Sequence, residues 1–211
     1  MVWERQRDIL GKKVVDALQK NWFAAEYVAT KEEAKQRALE ILSEYKTVGV
    51  GGSITVMQLG ILDELQKQGK EVFNHTLPGL SPEEKVEAGR RQLLCDCFIT
   101  STNAVTLDGK LINVDKTGNR VAAMIFGPKK VLVVAGVNKI TKDVEAALER
   151  IEMHAGPMNC MRLKLPTPCT QTGLCMDCNS ERRICNVTTI MRKKPSQTDI
   201  SIIIVGEELG Y

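Results

Sequence analysis

The sequence is poor in aromatics and histidines, and it contains no long apolar run. Each shortage removes a class of function. Phe, Trp and Tyr together make up 4% of the 211 residues, too few for the stacking platforms of a single-strand nucleic-acid binder. His75 and His154 are the two histidines, and neither has an acid or thiol arranged beside it along the chain. A His-based triad or a zinc-hydrolase site is therefore unsupported. No segment approaches the roughly 18 consecutive apolar residues of a membrane helix. The opening MVWERQRDILGKK is charged and helical in pattern, unlike the apolar core of a signal peptide. Charge of one sign is also missing. Lys+Arg 29 against Asp+Glu 26 leaves a formal +3, too balanced for a protein that coats DNA or an anionic membrane. A cytoplasmic protein with neither a nucleic-acid nor a membrane partner is expected.

What is present is an ordinary globular composition, 43% hydrophobic and 26% charged, long enough to bury one sizeable core. Amphipathic helices are expected over residues 2–20, from Thr30 (with Glu33 completing a capping box) to Tyr45, over 54–68, from Ser81 (boxed with Glu84) onward, and over 141–154. Between them lie short apolar stretches with strand character at 23–29, 47–50, 71–74, 95–101, 131–135 and 200–205. Val105-Thr-Leu107, Asp108-Gly109 and Lys110 to Val114 predict a β-hairpin. Alternation of this kind predicts an α/β layered fold. After Pro157 the periodicity dissolves. The expected organisation is a core over residues 1–156, a Cys-rich loop segment over 157–195, and residues 196–211 returning to the core as a last strand.

Two places carry chemistry. Gly49-Val50-Gly51-Gly52-Ser53-Ile54-Thr55 lies between a predicted strand and helix. Glycines there let a backbone approach a ligand, free N–H groups favour an anion, and Ser53 and Thr55 add hydroxyls. A tight turn capped by Ser53 is the simpler alternative. Downstream, Asn103, Asn113, Asp115, Lys116, Asn119 and Arg120 crowd around the hairpin, as side chains lining a crevice at strand ends would; local turn chemistry is the alternative. Candidate anion-binding residues are thus Gly51, Gly52, Ser53, Thr55, Asn103, Asp115, Asn119 and Arg120. Catalytic residues are not assigned.

The second place is the cysteine cluster. An odd count of seven, without a secretion signal, argues against a disulfide framework. Cys95, Cys97 and Cys160 are scattered. Cys95 and Cys97, two apart on a predicted strand, are expected to share one face as small core residues. Cys169, Cys175, Cys178 and Cys185 form C-x5-C-x2-C-x6-C, a spacing that suits one metal centre, either a 4Fe–4S cluster or zinc. Arg162, Lys164, Arg182, Arg183, Arg192, Lys193 and Lys194 surround it and read as a solvated basic face that offsets thiolate charge.

Three runs together, VGVGGSITVMQLGI (48–61), TSTNAVTLDGKLINVDKTGNRVAAMIFGPKKVLVVAGVNKI (100–140) and PCTQTGLCMDCNSERRICN (168–186), resemble the LUD-domain family, the bacterial lactate-utilisation proteins of the YkgG type. The resemblance spans nearly the whole chain. It implies a fold like that of ribose-5-phosphate isomerase and the CoA transferases and, together with the alternation, an open, mostly parallel sheet flanked by helices. It also implies a link to iron–sulfur subunits that oxidise L-lactate to pyruvate. A small anionic organic ligand and other lactate-utilisation subunits are the implied partners, with self-association left open. No flavin or nicotinamide fingerprint is present, so hydride transfer from lactate is not assigned to this chain alone; an enzymatic role would act on a small carboxylate or phosphate ester, at or near an iron–sulfur cluster. An electron-relay or structural subunit is the non-catalytic counterpart, and a zinc-stabilised binding protein the remaining alternative.

Overall fold

The computed structural model describes residues 2–211, and most elements form where the side-chain pattern asks for them. Helix α1 (Val2–Lys20) buries Val14, Val15 and Leu18 at helical spacing. Strand β1 (Ala24–Val28) leads to α2 (Lys31–Ser43), whose cap Thr30 accepts from the Glu33 N–H. The Glu33 carboxylate reaches back to the Ala29 N–H, at 2.8 Å. Strand β2 (Thr47–Val50) runs into the glycine loop. The single helix expected over 54–68 is two, α3 (Ile54–Leu59) and α4 (Leu62–Lys67). Gly60, at φ +60, ends the first by adopting the left-handed conformation that a glycine takes without strain.

Strand β3 (Glu71–Phe73) precedes α5 (Pro82–Arg91), where the reciprocal box of Ser81 and Glu84 is complete. Next come β4 (Cys97–Thr100), β5 (Ala104–Thr106) and β6 (Leu111–Asp115). The last two form the expected hairpin, with Val105 opposite Leu111. Helix α6 (Asn119–Ile125), which sequence periodicity did not reveal, connects to β7 (Lys130–Gly136). A 3-10 turn (Val137–Lys139) and β8 (Ile140–Thr141) then lead to α7 (Val144–Arg150). Asp143 caps α7 by accepting from the Ala146 N–H, so this helix starts after Thr141.

The expectation that structure dissolves after Pro157 is corrected. The helical run continues through a π turn (Ile151–Ala155) into α8 (Gly156–Arg162). Beyond it lie α9 (Cys169–Thr172), β9 (Val187–Met191) and the last strand, β10 (Asp199–Val205). Irregular chain is confined mainly to 163–186.

Six strands form one sheet in the order β1-β10-β7-β4-β2-β3, and all five pairings are parallel. One face carries α1 and α6, through Val14, Leu18, Ala123 and Met124. The other carries α2, α3 and the loop into α4, through Ala38, Leu42, Val56 and Ile61. Covered on both faces, the central strands are apolar throughout; every residue of β7 is buried. A smaller sheet, β8-β5-β6-β9, packs Val105 and Leu111 into the first face and Ala104 and Ile112 against Ala147 of α7. Cys95 and Cys97 do not share a face. Cys95 lies in the turn before β4 and packs on the α1 side, whereas Cys97 packs on the α2 side. Burial pushes both thiols up, Cys95 to about 11. Among the described residues, no helix is long and apolar enough to cross a membrane.

Candidate functional site

The two sheet faces define where a ligand can sit. From β2 the chain proceeds to β3 through α3 and α4 on one face. From β4 it proceeds to β7 through α6 on the other. Neighbouring strands whose connections leave in opposite directions open a crevice at their C-terminal ends. At that switch point the glycine loop follows β2, Ser101 and Thr102 follow β4, and Lys139 follows β7.

Lys139 is 4% exposed. Its ammonium donates to Thr55 Oγ1 at 2.9 Å, Ser101 Oγ at 2.9 Å and the Thr102 carbonyl at 3.2 Å, all neutral oxygens. Burial lowers its pKa to about 7, and Arg150 and Arg120 nearby push in the same direction. Arg150 donates only to carbonyls, those of Asn138 and Asn103 at 3.0 and 2.8 Å, and burial lowers its pKa as well. Arg150 and Arg120 thus bring further positive charge near Lys139, while Asp115 pairs with Arg120. Residues 209 and 210 lie over the amine. Thr55 Oγ1 donates to the Leu209 carbonyl, and a β-carbon on Gly210 would lie 3.3 Å from Lys139 Nζ. Gln58 Oε1 and Asn138 hold this segment in place, accepting from the Gly210 N–H at 2.7 Å and the Leu209 N–H at 3.1 Å.

The predicted residues fall into two groups that meet at Ser101. In the glycine loop, a β-carbon on Gly51 would lie 2.6 Å from Thr100 Oγ1, so this glycine makes room for a neighbouring strand. Ser53 caps α3 by accepting from the Val56 N–H, while its own N–H donates to the Gly51 carbonyl at 2.7 Å. Thr55 alone of this group reaches Lys139. Gly52 is exposed and faces His75, whose Nε2 would be 3.6 Å from a β-carbon there.

In the second group Arg120 is the hub. Nε donates to Asp115 at 3.2 Å, and Nη1 to Asn113 Oδ1 and the Ser101 carbonyl. Nη2 donates to Asn103 Oδ1 and the Val114 carbonyl, both at 3.0 Å. The five N–H groups of a guanidinium are all engaged. Arg120 therefore organises the hairpin, and none of its donors remains free for a ligand in this arrangement. Asn103 Oδ1 also accepts from the Val114 N–H, and Asn113 Oδ1 from the Asn103 N–H. Asn119 opens α6 and faces Gly89 of α5.

The cysteine loop is tied to the rest of the chain by two backbone bonds, one at its far end from the Asn186 N–H to the Asp115 carbonyl at 3.0 Å and one in its middle. In the π turn the Gly156 N–H donates to the Ile151 carbonyl. The next donor in that register would be residue 157, which is proline and has no N–H. The Glu152 carbonyl left over accepts from the Cys175 N–H at 3.0 Å. Arg183 braces the far side, donating to the Cys178 and Cys185 carbonyls and to Asp177. The four motif thiols are half-buried, and Cys169 meets both Thr167 Oγ1 at 3.3 Å and the buried Cys160. Among the described residues, no three His, Cys, Asp or Glu side chains converge as a metal-ligating group. The donor chemistry of the loop suits a soft metal, and Cys169 and Cys185 lie near enough to Cys175 to push its thiol up, after burial.

The LUD-domain family profile matches residues 11–205. The chain belongs to the LUD-domain family. A DUF162 family protein from Deinococcus radiodurans, whose crystal structure was solved at 1.70 Å resolution, superimposes with a TM-score of 0.55. The overlap takes in 94% of this LUD-domain chain and 98% of that one, at 15% identity, which establishes shared fold alone. A search of curated proteins finds no match.

Sequence reasoning passed over Lys139, Ser101 and His75. For Lys139 a signal existed: it lies three residues beyond the end of a strand that reads as fully buried, where α/β ligand sites form. His75 was set aside for want of sequence neighbours. In the fold its Nδ1 lies 3.0 Å from Gln92 Nε2, and burial lowers its pKa while Asp115 opposes the shift. Its partners come from α5 and the hairpin, and nothing local announces them.

Proposed function

We propose that this LUD-domain protein binds a small organic-acid anion, a carboxylate or phosphate ester, at the switch-point crevice and acts in or beside lactate oxidation. The observation that carries this reading is Lys139, a buried amine held by three neutral oxygens where an α/β sheet takes its ligands. Anionic ligands relieve the excess of positive charge left by Lys139, Arg150 and Arg120 against Asp115. In this reading Gly51, Gly52, Ser53 and Thr55 form one wall, Ser101 and Thr102 the other. Arg120, Asp115, Asn103 and Asn119 hold the hairpin and α6 against them. Kinship with ribose-5-phosphate isomerase and the CoA transferases belongs to the same proposal. Titration calorimetry with lactate, pyruvate, acetate and inorganic phosphate tests it. One site is expected, weakened by about tenfold or more when Lys139→Met removes the cation or Gly52→Val fills the approach. Ligand density found only elsewhere would remove the assignment.

Cys169, Cys175, Cys178 and Cys185 are proposed to hold one soft-metal centre, a 4Fe–4S cluster or, alternatively, zinc. An all-sulfur donor set disfavours Mg²⁺ and Ca²⁺, which want oxygen. The centre would supply electron transfer if it is a cluster and loop order alone if it is zinc. Cytoplasmic lactate-utilisation subunits are the corresponding partners. Metal analysis of anaerobically purified protein decides between the two: roughly four irons with matching sulfide support the cluster, one zinc the alternative, and no metal ends the assignment.

A further inference from the structure

We propose that Lys139 is a carbonyl-reactive amine, condensing through Nζ with the keto carbon of a small 2-oxo carboxylate to form an imine at the switch-point crevice. The inference rests on the organic-acid reading above and narrows it to a ligand class and a bond. A lysine serving only as a counter-charge is expected in water or beside a carboxylate. This one is 4% exposed, and its hydrogen bonds all go to neutral oxygens. Desolvation and neighbouring cations are the two means by which proteins keep a lysine nucleophilic at neutral pH. Both operate here, the second through Arg150 and Arg120. Of the two, Arg150, which donates to carbonyls through Nε and Nη1, is the cation left to favour a ligand that carries a carboxylate beside its carbonyl.

The chemistry needs no further reactant. The Nζ lone pair attacks the keto carbon, and the carbonyl π pair moves onto oxygen, which gains a proton to give a carbinolamine. That oxygen then leaves as water, carrying away the two amine protons, as the C=N bond forms. Thr55 and Ser101 place hydroxyls at hydrogen-bonding distance from Nζ, where protons must move between nitrogen and the departing oxygen. Leu209 and Gly210 lie over the amine, where they exclude the water that would hydrolyse the imine. They are held by hydrogen bonds to Gln58, Asn138 and Thr55, which a ligand of a few heavy atoms has to displace to reach the amine.

The test is reductive trapping on the full chain. Protein is incubated with pyruvate and sodium cyanoborohydride, then measured as intact mass and mapped as peptides. One adduct per chain is expected on the peptide containing Lys139, with the mass of one pyruvic acid less one oxygen. Lactate, which has a hydroxyl in place of the carbonyl, should leave no adduct. Lys139→Arg, checked for folding by circular dichroism, should lose it; should that variant not fold, the peptide map of the unaltered chain decides alone. Pyruvate that binds by calorimetry but leaves no adduct overturns this inference and spares the organic-acid reading. Adducts scattered over surface lysines overturn it too. Binding of neither acid overturns both.

Discussion

The crevice and the cysteine loop hold reactive side chains by opposite means. Around Arg120 and Lys139, side chains from the hairpin, α6 and the strand ends satisfy one another, so the site is assembled from residues far apart in sequence. Arg120 and Asp115, with side chains 13% and 14% exposed, form a buried pair inside that network. The loop draws its thiols from 17 consecutive residues and fastens to the core at few points, Cys175 on Glu152 and Asn186 on Asp115 and Lys116. A dense network makes position insensitive to ligand; a lightly tethered loop takes its order from whatever it binds.

The sharpest way to break this contrast is at the hub. Arg120→Met should cost about 3–5 kcal/mol of stability, because Asp115 is left buried without its cation. Denaturant titration measures the loss, and the loop cysteines should react with a thiol reagent as before. Gly51→Ala should cost less, about 1–3 kcal/mol, since its β-carbon would collide with Thr100; calorimetric melting checks it.

On the other side, if the four thiols hold the proposed metal centre, Cys178→Ser should release it and raise hydrogen exchange over residues 166–190. The melting of the sheet domain should stay within about 0.5 kcal/mol of the unaltered protein. Equal loss of protection in β7 would erase the distinction between the two regions.

Lys139 supplies a test by pH. Its pKa is about 7 in the folded chain and 10.5 ordinarily. Between those values the unfolded chain binds the extra proton, so stability should rise with pH, by at most about 1.4 kcal/mol per unit. Below about 7 both forms are protonated, this contribution flattens, and the desolvation cost is felt in full. Lys139→Met should remove the slope, as denaturation curves across that window would show. The smallest effect is expected from Pro157→Ala. It restores an N–H that competes for the Glu152 carbonyl, changing global stability by less than about 1 kcal/mol while making Cys175 react faster with a thiol reagent.

Much of the fold was legible locally. The Thr30 and Ser81 caps, the Asp108-Gly109 hairpin and the apolar run at 131–135 each encode their own geometry within a few residues. Helix α6 escaped because it opens on Gly118 in a left-handed conformation without a side-chain cap. The run through Pro157 escaped because a proline in the first turn of a helix, or beside a π turn, does not end it. In the site, the polar cluster at 103–120 was visible as composition, but not the engagement of every Arg120 donor. The glycine loop was visible as a turn, but not that Gly51 lies against Thr100 while Gly52 stays exposed beside His75.

What the sequence determined by itself is whatever depends on neighbours along the chain: the alternation of helix and strand, the caps, the turn and the spacing of four thiols. Only the tertiary structure decided that Lys139 is buried under residues 209 and 210 between two hydroxyls, that His75 faces Gly52, and that Cys95 and Cys97 part to opposite faces. The physical reason is desolvation. A side chain's protonation and reactivity follow from what excludes water around it, and here those groups come from strands and loops separated by tens of residues.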